Sequence, residues 1–378
     1  MNAIERVTNA IARKPVDRIP LGFYAVDCDT VEKVLGRPSL MRNKVEIQLA
    51  LWYGRRDEVA EKLKKDTVEF YRKIDCADII LAKEAQILPP KNYTPEMPEK
   101  LPDDNYRMKD GRIFKAVAEH NDVQCIHDPR PAKQYSVSDF EDKKPPVPPD
   151  PSQFEVFDHM VAQLGKERYI ASSASLNIMP MIGGMEEGLM MYALQPEVIE
   201  ASNRQSVSHE REIDQYRIRN GTHGVLVEND MGGTNGPLIS PDMFRELCFP
   251  YMKERVSSIK RYRSQVILHS CGKTIPLIDM FIEAGIDCYQ SLQTTAGMDV
   301  GMLKEKFGSK LSFWGGVPVE QLIAGTPDDV RKSVRYAIEK GPNGSGFILG
   351  PSHSIAKNTK YENFMAMLDE YVKIRDKI

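Results

Sequence analysis

Several short apolar runs along this 378-residue chain end in Gly, Asp, Asn, Ser or Pro, and stretches of helical spacing separate most of them. The runs lie at 19–26 (IPLGFYAV), 77–83 (ADIILAK), 169–177 (YIASSASLN), 223–230 (HGVLVEND), 265–271 (QVILHSC), 287–293 (DCYQSLQ), 311–317 (LSFWGGV) and 346–352 (GFILGPS). Parallel strands buried on both faces read as such continuous runs, because helices cover them on either side. The segments 186–195, 197–218, 241–263, 273–284, 299–307 and 327–340 read as those helices. Alternating strand and helix builds a parallel sheet, and eight repeats favour an α/β fold, a (β/α)8 TIM barrel. At ~150 residues per domain the length allows two or three domains, but one large barrel spanning 1–378 absorbs it.

Two features depart from a plain barrel. Ile4, Val7 and Ile11 recur at helical spacing before Pro15, which predicts an N-terminal helix capping the barrel bottom. Residues 84–168 are too long for one crossover and read as an insertion over the barrel mouth. Within it, 112–126 (RIFKAVAEHNDVQCI) has the pattern of a β-hairpin turning at His120-Asn121-Asp122. The stretch KKPPVPPDP that follows, 143–151, is a stiff extended connector.

Composition narrows the function. Lys plus Arg number 51 against 54 Asp plus Glu, a formal charge of −3, which argues against a nucleic-acid binder relying on a basic surface. A hydrophobic fraction of 41% suffices for a sizeable core. No apolar run approaches the ~20 residues of a membrane span. The N-terminus has no apolar signal core, so the expectation is a cytoplasmic protein. Six cysteines spread over this length do not make a disulfide framework, and any special one is a ligand or a nucleophile.

Barrel active sites form at the C-terminal strand ends. The fifth run ends in His269-Ser270-Cys271. Two residues apart on a strand, His269 and Cys271 leave the same face with Cβ atoms roughly 6.5 Å apart, a spacing that suits one Zn²⁺. The competing reading is a buried Cys beside a hydrogen-bonded His. Gly272 lets the chain turn away at once, keeping both side chains at the rim. His353 follows the eighth run and completes a three-ligand site, donates to substrate, or serves only its loop. Glu228 and Asp230 end the fourth run on a shared face, fit to ligate, orient or transfer protons; as turn formers before Gly232-Gly233 they need do none of these. Asn229 and Met231 face the alternate side. Tyr24, Asp27, Asn177, Gln290, Gln293 and Trp314 fill the remaining rim positions as substrate-binding candidates. Met179, Met181, Met185, Met190 and Met191 cluster after the third run, an adaptable apolar wall, although helix packing explains Met190 and Met191 more simply. Such apolar rim segments suit a homo-oligomer or a transient partner equally.

There is no dinucleotide-binding or P-loop glycine motif, no H-E-x-x-H and no G-x-S-x-G. The GSGF run at 344–347 enters a strand instead of opening a helix, so it is not a phosphate loop.

Taken together, ERVTNAIARKPVDRIP, VENDMGGTNGPLISPDMFRELCFPYMK, VILHSCGKTIPLIDMFIEAGIDCYQSLQ, FWGGV and GFILGPSHSI resemble the uroporphyrinogen decarboxylase superfamily over nearly the whole chain. The resemblance implies a (β/α)8 barrel with its site in the cleft at the strand ends. True decarboxylases of this superfamily carry an Arg-Gln-Ala-Gly-Arg segment after the first strand to bind substrate carboxylates. Here that place reads GFYAVDCD, residues 22–29, acidic instead of basic, and Asp27 and Asp29 would repel a polycarboxylate. The HSC run instead resembles the His-x-Cys signature of the zinc methyltransferases that work with corrinoid proteins. Their third ligand, a Cys near the last strand, is replaced by PSHS, so His353 either ligates or matches a histidine of the decarboxylases. A thiol-methylating role is disfavoured by that missing Cys.

What this implies is an O-demethylase type of methyltransferase. It would move a methyl group from a small methylated compound, such as a methoxylated aromatic, to the cobalt of a separate corrinoid protein. Zn²⁺, or Glu228 or His353 as an acid, would activate the leaving atom. The chain lacks the D-x-H-x-x-G motif that supplies a corrinoid's lower histidine, so the cobamide comes on a partner. The rival reading is a metal-independent decarboxylase of a small or tetrapyrrole acid.

Overall fold

The computed structural model describes residues 1–141, 144–341 and 345–376. Lys143, which opens the proline-rich connector, and Gly344, which opens GSGF, lie outside the described residues. The strands in chain order are β1 (Ile79–Leu81), β2 (Glu99–Lys100), β3 (Asn105–Arg107), β4 (Ile113–Val117), β5 (Asp122–His127), β6 (Tyr169–Ser175), β7 (Gly224–Glu228), β8 (Val266–His269), β9 (Cys288–Gln290), β10 (Ser312–Val317) and β11 (Phe347–Pro351). A parallel sheet runs in the order β1-β6-β7-β8-β9-β10-β11. Its two ends meet through the N-terminal segment, where Leu21 bridges Leu349 and Gly22 bridges Ile79, so the sheet curls into a barrel. Seven of the eight expected strands are present, each within the run that foretells it.

The eighth, 19–26, is reduced to single bridges. The reason is local: the Leu21 N–H donates to the Asp78 carboxylate instead of to a strand carbonyl, and Pro20 has no N–H to give. Asp78 also accepts from Arg6 at 2.6 Å, tying the helix Ala3–Ile11 to the closing segment. Val7, Ala10 and Ile11 of that helix pack into the barrel interior with Tyr169, Leu226, Ile267 and Trp314, so the N-terminal helix caps the bottom as expected. The stretch 241–263 is two helices, Pro241–Leu247 and Phe249–Lys260, because Pro250, in the first turn of the second, has no N–H to continue the first.

The expected hairpin is present as β4 and β5, turning through Ala118–His120 and Asn121. Two further strands, β2 and β3, extend it to a four-stranded antiparallel sheet. Trp52, Tyr106 and Met108 anchor this sheet to the helix Lys44–Trp52. Its turn docks beside the mouth: the Asn121 side chain accepts from Lys44 N and donates to Arg42 O, and Lys357 Nζ donates to Ala118 O. Among the described residues no helix is long and apolar enough to cross a membrane.

Candidate metal centre and active site

Register brings the site together. Ser175, Glu228, His269, Gln290 and Trp314 are successive partners across β6 to β10, so one row of the sheet carries an acid, an imidazole, an amide and an indole. His269 is the last residue of β8. After Cys271 the chain reverses at Gly272, whose φ of +78° suits glycine. A Cβ there would lie 2.2 Å from Gly232 O, so only a glycine lets the turns after β7 and β8 pack together. Gly272 N donates to Gln293 Oε1 and Cys271 N to Asp230 Oδ1, which fixes the thiol above the imidazole.

Cys271 Sγ stands 3.4 Å from His269 Nε2. One donor atom each from His269, Cys271 and His353 lie within 4.8 Å of one another, and among the described residues this is the one such cluster of three or more His, Cys, Asp or Glu donors. Gln290 Oε1 faces His269 Nδ1, so Nδ1 carries the proton and Nε2 keeps its lone pair toward Cys271. Burial drives the His269 pKa down to about 4, against the opposing Gln290 hydrogen bond and the Glu228 and Asp230 charges. Burial and the Asp230 charge push the Cys271 thiol up to about 12.

These residues fit a zinc ion. A tetrahedral ion with Zn–S of about 2.3 Å and Zn–N of about 2.0 Å holds its sulfur and nitrogen roughly 3.5 Å apart, close to the spacing present. The neutral imidazole offers a lone pair, its other nitrogen is held by an amide, and a cation would favour the thiolate that burial disfavours.

Around this cluster the structure assembles a group that sequence patterns only half disclose. The Tyr24 ring stacks on the His269 ring, centroids 3.8 Å apart and planes at 10°. Tyr24 Oη donates to Glu228, and Lys83 Nζ lies 2.5 Å from the same Glu228 oxygen and 3.6 Å from the centre of the Tyr24 ring. Burial works against the Glu228 charge, but Lys83 outweighs it and keeps the carboxylate below its usual range. Lys83 in turn loses proton affinity through burial, and the Tyr24 hydroxyl is raised by burial and Glu228. Lys83 is absent from the candidates named from sequence. Its signal is there, a charged residue closing the apolar run ADIILAK at a strand's C-terminal end.

Other candidates sit elsewhere. Trp314 is not at the rim: it is wholly buried in the barrel interior, its Nε1 donating to Gly22 O at 3.3 Å. Met231 is wholly buried in the core, and Asn229 is spent accepting from the Ile178 and Met179 N–H groups. Gln290 and Gln293 hold His269 and Gly272 through their side-chain oxygens. Asn177 is exposed after β6. Asp27 and Asp29 accept from the Lys357 and Asn358 N–H groups, pinning the loop after His353. Of the methionines, Met179 is buried, whereas Met185 and Met190 are exposed, so packing does not account for Met190.

Residues 137–373, more than half of the chain, match the family described as uroporphyrinogen decarboxylase (URO-D). The chain belongs to the URO-D family. The family match leaves out the mouth residues Tyr24, Asp27 and Lys83 and most of the insertion. A named relative, uroporphyrinogen decarboxylase 2, chloroplastic, of Oryza sativa subsp. japonica, is 29% identical over 150 residues, 39% of this chain. That match spans 36% of the relative's length. In three dimensions the chain is similar to a methyltransferase from Methanosarcina mazei, with a TM-score of 0.64, 15% identity and 99% of each chain covered. That likeness is one of fold, and it runs the whole length. The chain thus joins the URO-D fold to a His/Cys/His cluster that could hold a metal ion.

Proposed function

We propose that this chain is the methyltransferase component of a demethylating system. It moves a methyl group from a small methylated compound, of the methoxylated aromatic kind, to the cobalt of a separate corrinoid protein. The observation that carries this reading is the convergence of His269, Cys271 and His353 at the barrel mouth. These three would hold Zn²⁺, which supplies Lewis acidity toward the heteroatom that the methyl group leaves. Gln290 fixes the His269 tautomer, and Tyr24 covers one face of the imidazole and keeps water from it. Glu228, expected from sequence as an acid, is instead held as a carboxylate by Lys83 and is spent on Lys83 and Tyr24. Asp230, with a side chain 62% exposed, is the carboxylate left open to the mouth, where it can orient a hydrogen-bond donor of the substrate. An apolar rim bearing exposed Met185 and Met190 suits the arrival of a partner protein.

A second reading, decarboxylation of a small or tetrapyrrole acid without metal, draws on the family description and the rice relative. By name these favour it over methyl transfer. The acidic segment with Asp27 and Asp29 speaks against a substrate with many carboxylates. Anaerobic incubation with cob(I)alamin and a panel of methoxylated compounds separates the two. The proposal predicts the methylcob(III)alamin spectrum; a silent panel with CO₂ released from an organic acid would replace it with decarboxylation.

A further inference from the structure

Arginines that hold this fold together fill their guanidinium forks. Arg6 donates to Asp17, Asp78 and Met1 O; Arg56 to Pro89 O, Ser152 O, Asp57 and Glu155; Arg255 to Ser175 O, Ser258 and both Asp214 oxygens. Arg42 is different. Its side chain is only 19% exposed, yet its one side-chain hydrogen bond among the described residues is a 3.4 Å contact from Nη2 to Asp27. Its Nε is buried with no acceptor. The other Asp27 oxygen is already taken by Lys357 N.

The backbone of Arg42 is also held in an unusual state. Its φ is +60°, a left-handed conformation that costs a non-glycine residue on the order of 1 kcal/mol or more and persists only where the surroundings impose it. Asn121 imposes it from the hairpin turn, donating to Arg42 O at 2.7 Å and accepting from Lys44 N at 2.8 Å. Asn121 is itself left-handed and 3% exposed. Asp27, which Arg42 touches, also holds Lys357 N of the loop that follows His353, and this places the guanidinium beside the mouth. Lys83, a second cation at the mouth, is paired with Glu228, whereas Arg42 keeps donors to spare.

We propose that Arg42 recognises a carboxylate on the organic substrate, and that Asn121 of the inserted hairpin positions it. A guanidinium offers two parallel N–H groups to a carboxylate, and a cation with only one long contact, set among Asp27, Glu228 and Asp230, selects a monoanion over a polyanion. This names the substrate class of the proposed reaction and rests on that reading for placing substrate at this mouth.

The test is calorimetry on the zinc-loaded full chain with 4-methoxybenzoate and its neutral isostere 4-methoxybenzamide. The wild type binds the benzoate at least about tenfold tighter. Arg42→Gln abolishes the preference, Arg42→Lys keeps part of it, and Asn121→Ala weakens the benzoate while sparing the benzamide. Zinc content and far-UV spectra stay at wild-type values in all three. Equal binding of the two probes by the wild type, binding of neither, or a preference that survives Arg42→Gln overturns the assignment. Methyl transfer without an anion preference removes Arg42 alone. An anion preference in a chain that holds no zinc removes the metal-assisted reaction and leaves Arg42 standing.

Discussion

Gln290 decides what His269 can do. Its carbonyl oxygen accepts the hydrogen bond from Nδ1–H, and the imidazole lone pair is left for Cys271's side of the mouth. The Gln290 Nε2 amide is buried without a partner among the described residues, so the side chain is kept there against a desolvation cost. Gln290→Ala should weaken zinc binding by about 10–100-fold, read by competition with a chromophoric chelator, while the far-UV spectrum holds. An unchanged zinc affinity would show the amide to be structural only. The His-x-Cys pair was legible because strand spacing alone brings its side chains together. Gln290's role and Lys83's were not, because both depend on cross-strand register. Trp314 and Met231 were misplaced for a related reason. A position at a strand end does not say whether a side chain rises to the mouth or turns back into the barrel.

Glu84 carries a pH dependence of its own. It is fully buried, accepts from Val26 N, and has one oxygen with no partner. Burial, opposed by Arg42, raises its pKa from 4.5 to about 7. The folded chain therefore keeps a proton that the unfolded chain releases between those values, and stability falls as pH rises through that window, by about 3 kcal/mol. Glu84→Gln should raise the melting temperature at pH 8 and leave it nearly unchanged at pH 4.5; a wild-type slope retained by the variant would remove Glu84 as its cause.

At the scale of elements, the closing segment is where the barrel is most exposed to substitution. A Cβ at Gly22 would lie 2.1 Å from Ile79 Cγ2 and 2.9 Å from Trp314. Gly22→Ala should cost about 1–3 kcal/mol in urea unfolding, and a neutral result would mean that Leu21 and Gly22 do not seal the sheet. The helix Pro327–Lys340 matches its expected bounds because its Thr326-x-x-Asp329 capping box and apolar stripe both declare it. The first strand misled because an apolar run does not disclose that a side chain, Asp78, will claim a ladder N–H. Strands β2 and β3 are too short to carry a periodic signal.

For the whole molecule, ligand binding and stability are linked. A zinc ion on His269, Cys271 and His353 would join the end of β8 to the loop after β11 across the mouth, so saturating zinc should raise the melting temperature of the wild type and not of Cys271→Ala. The alternation of strands and helices disclosed the barrel, and the spacing of His269 and Cys271 disclosed half of its centre. The other half, the approach of His353 from across the mouth, exists only once the sheet has closed.

The central claim is that these three side chains hold one metal ion, and metal content tests it most directly. After zinc loading and exhaustive dialysis at pH 7.5, elemental analysis should find a single zinc ion per wild-type chain and next to none in Cys271→Ala, with matching far-UV spectra. A wild type that retains no zinc, or a Cys271→Ala variant that retains as much, would contradict the account.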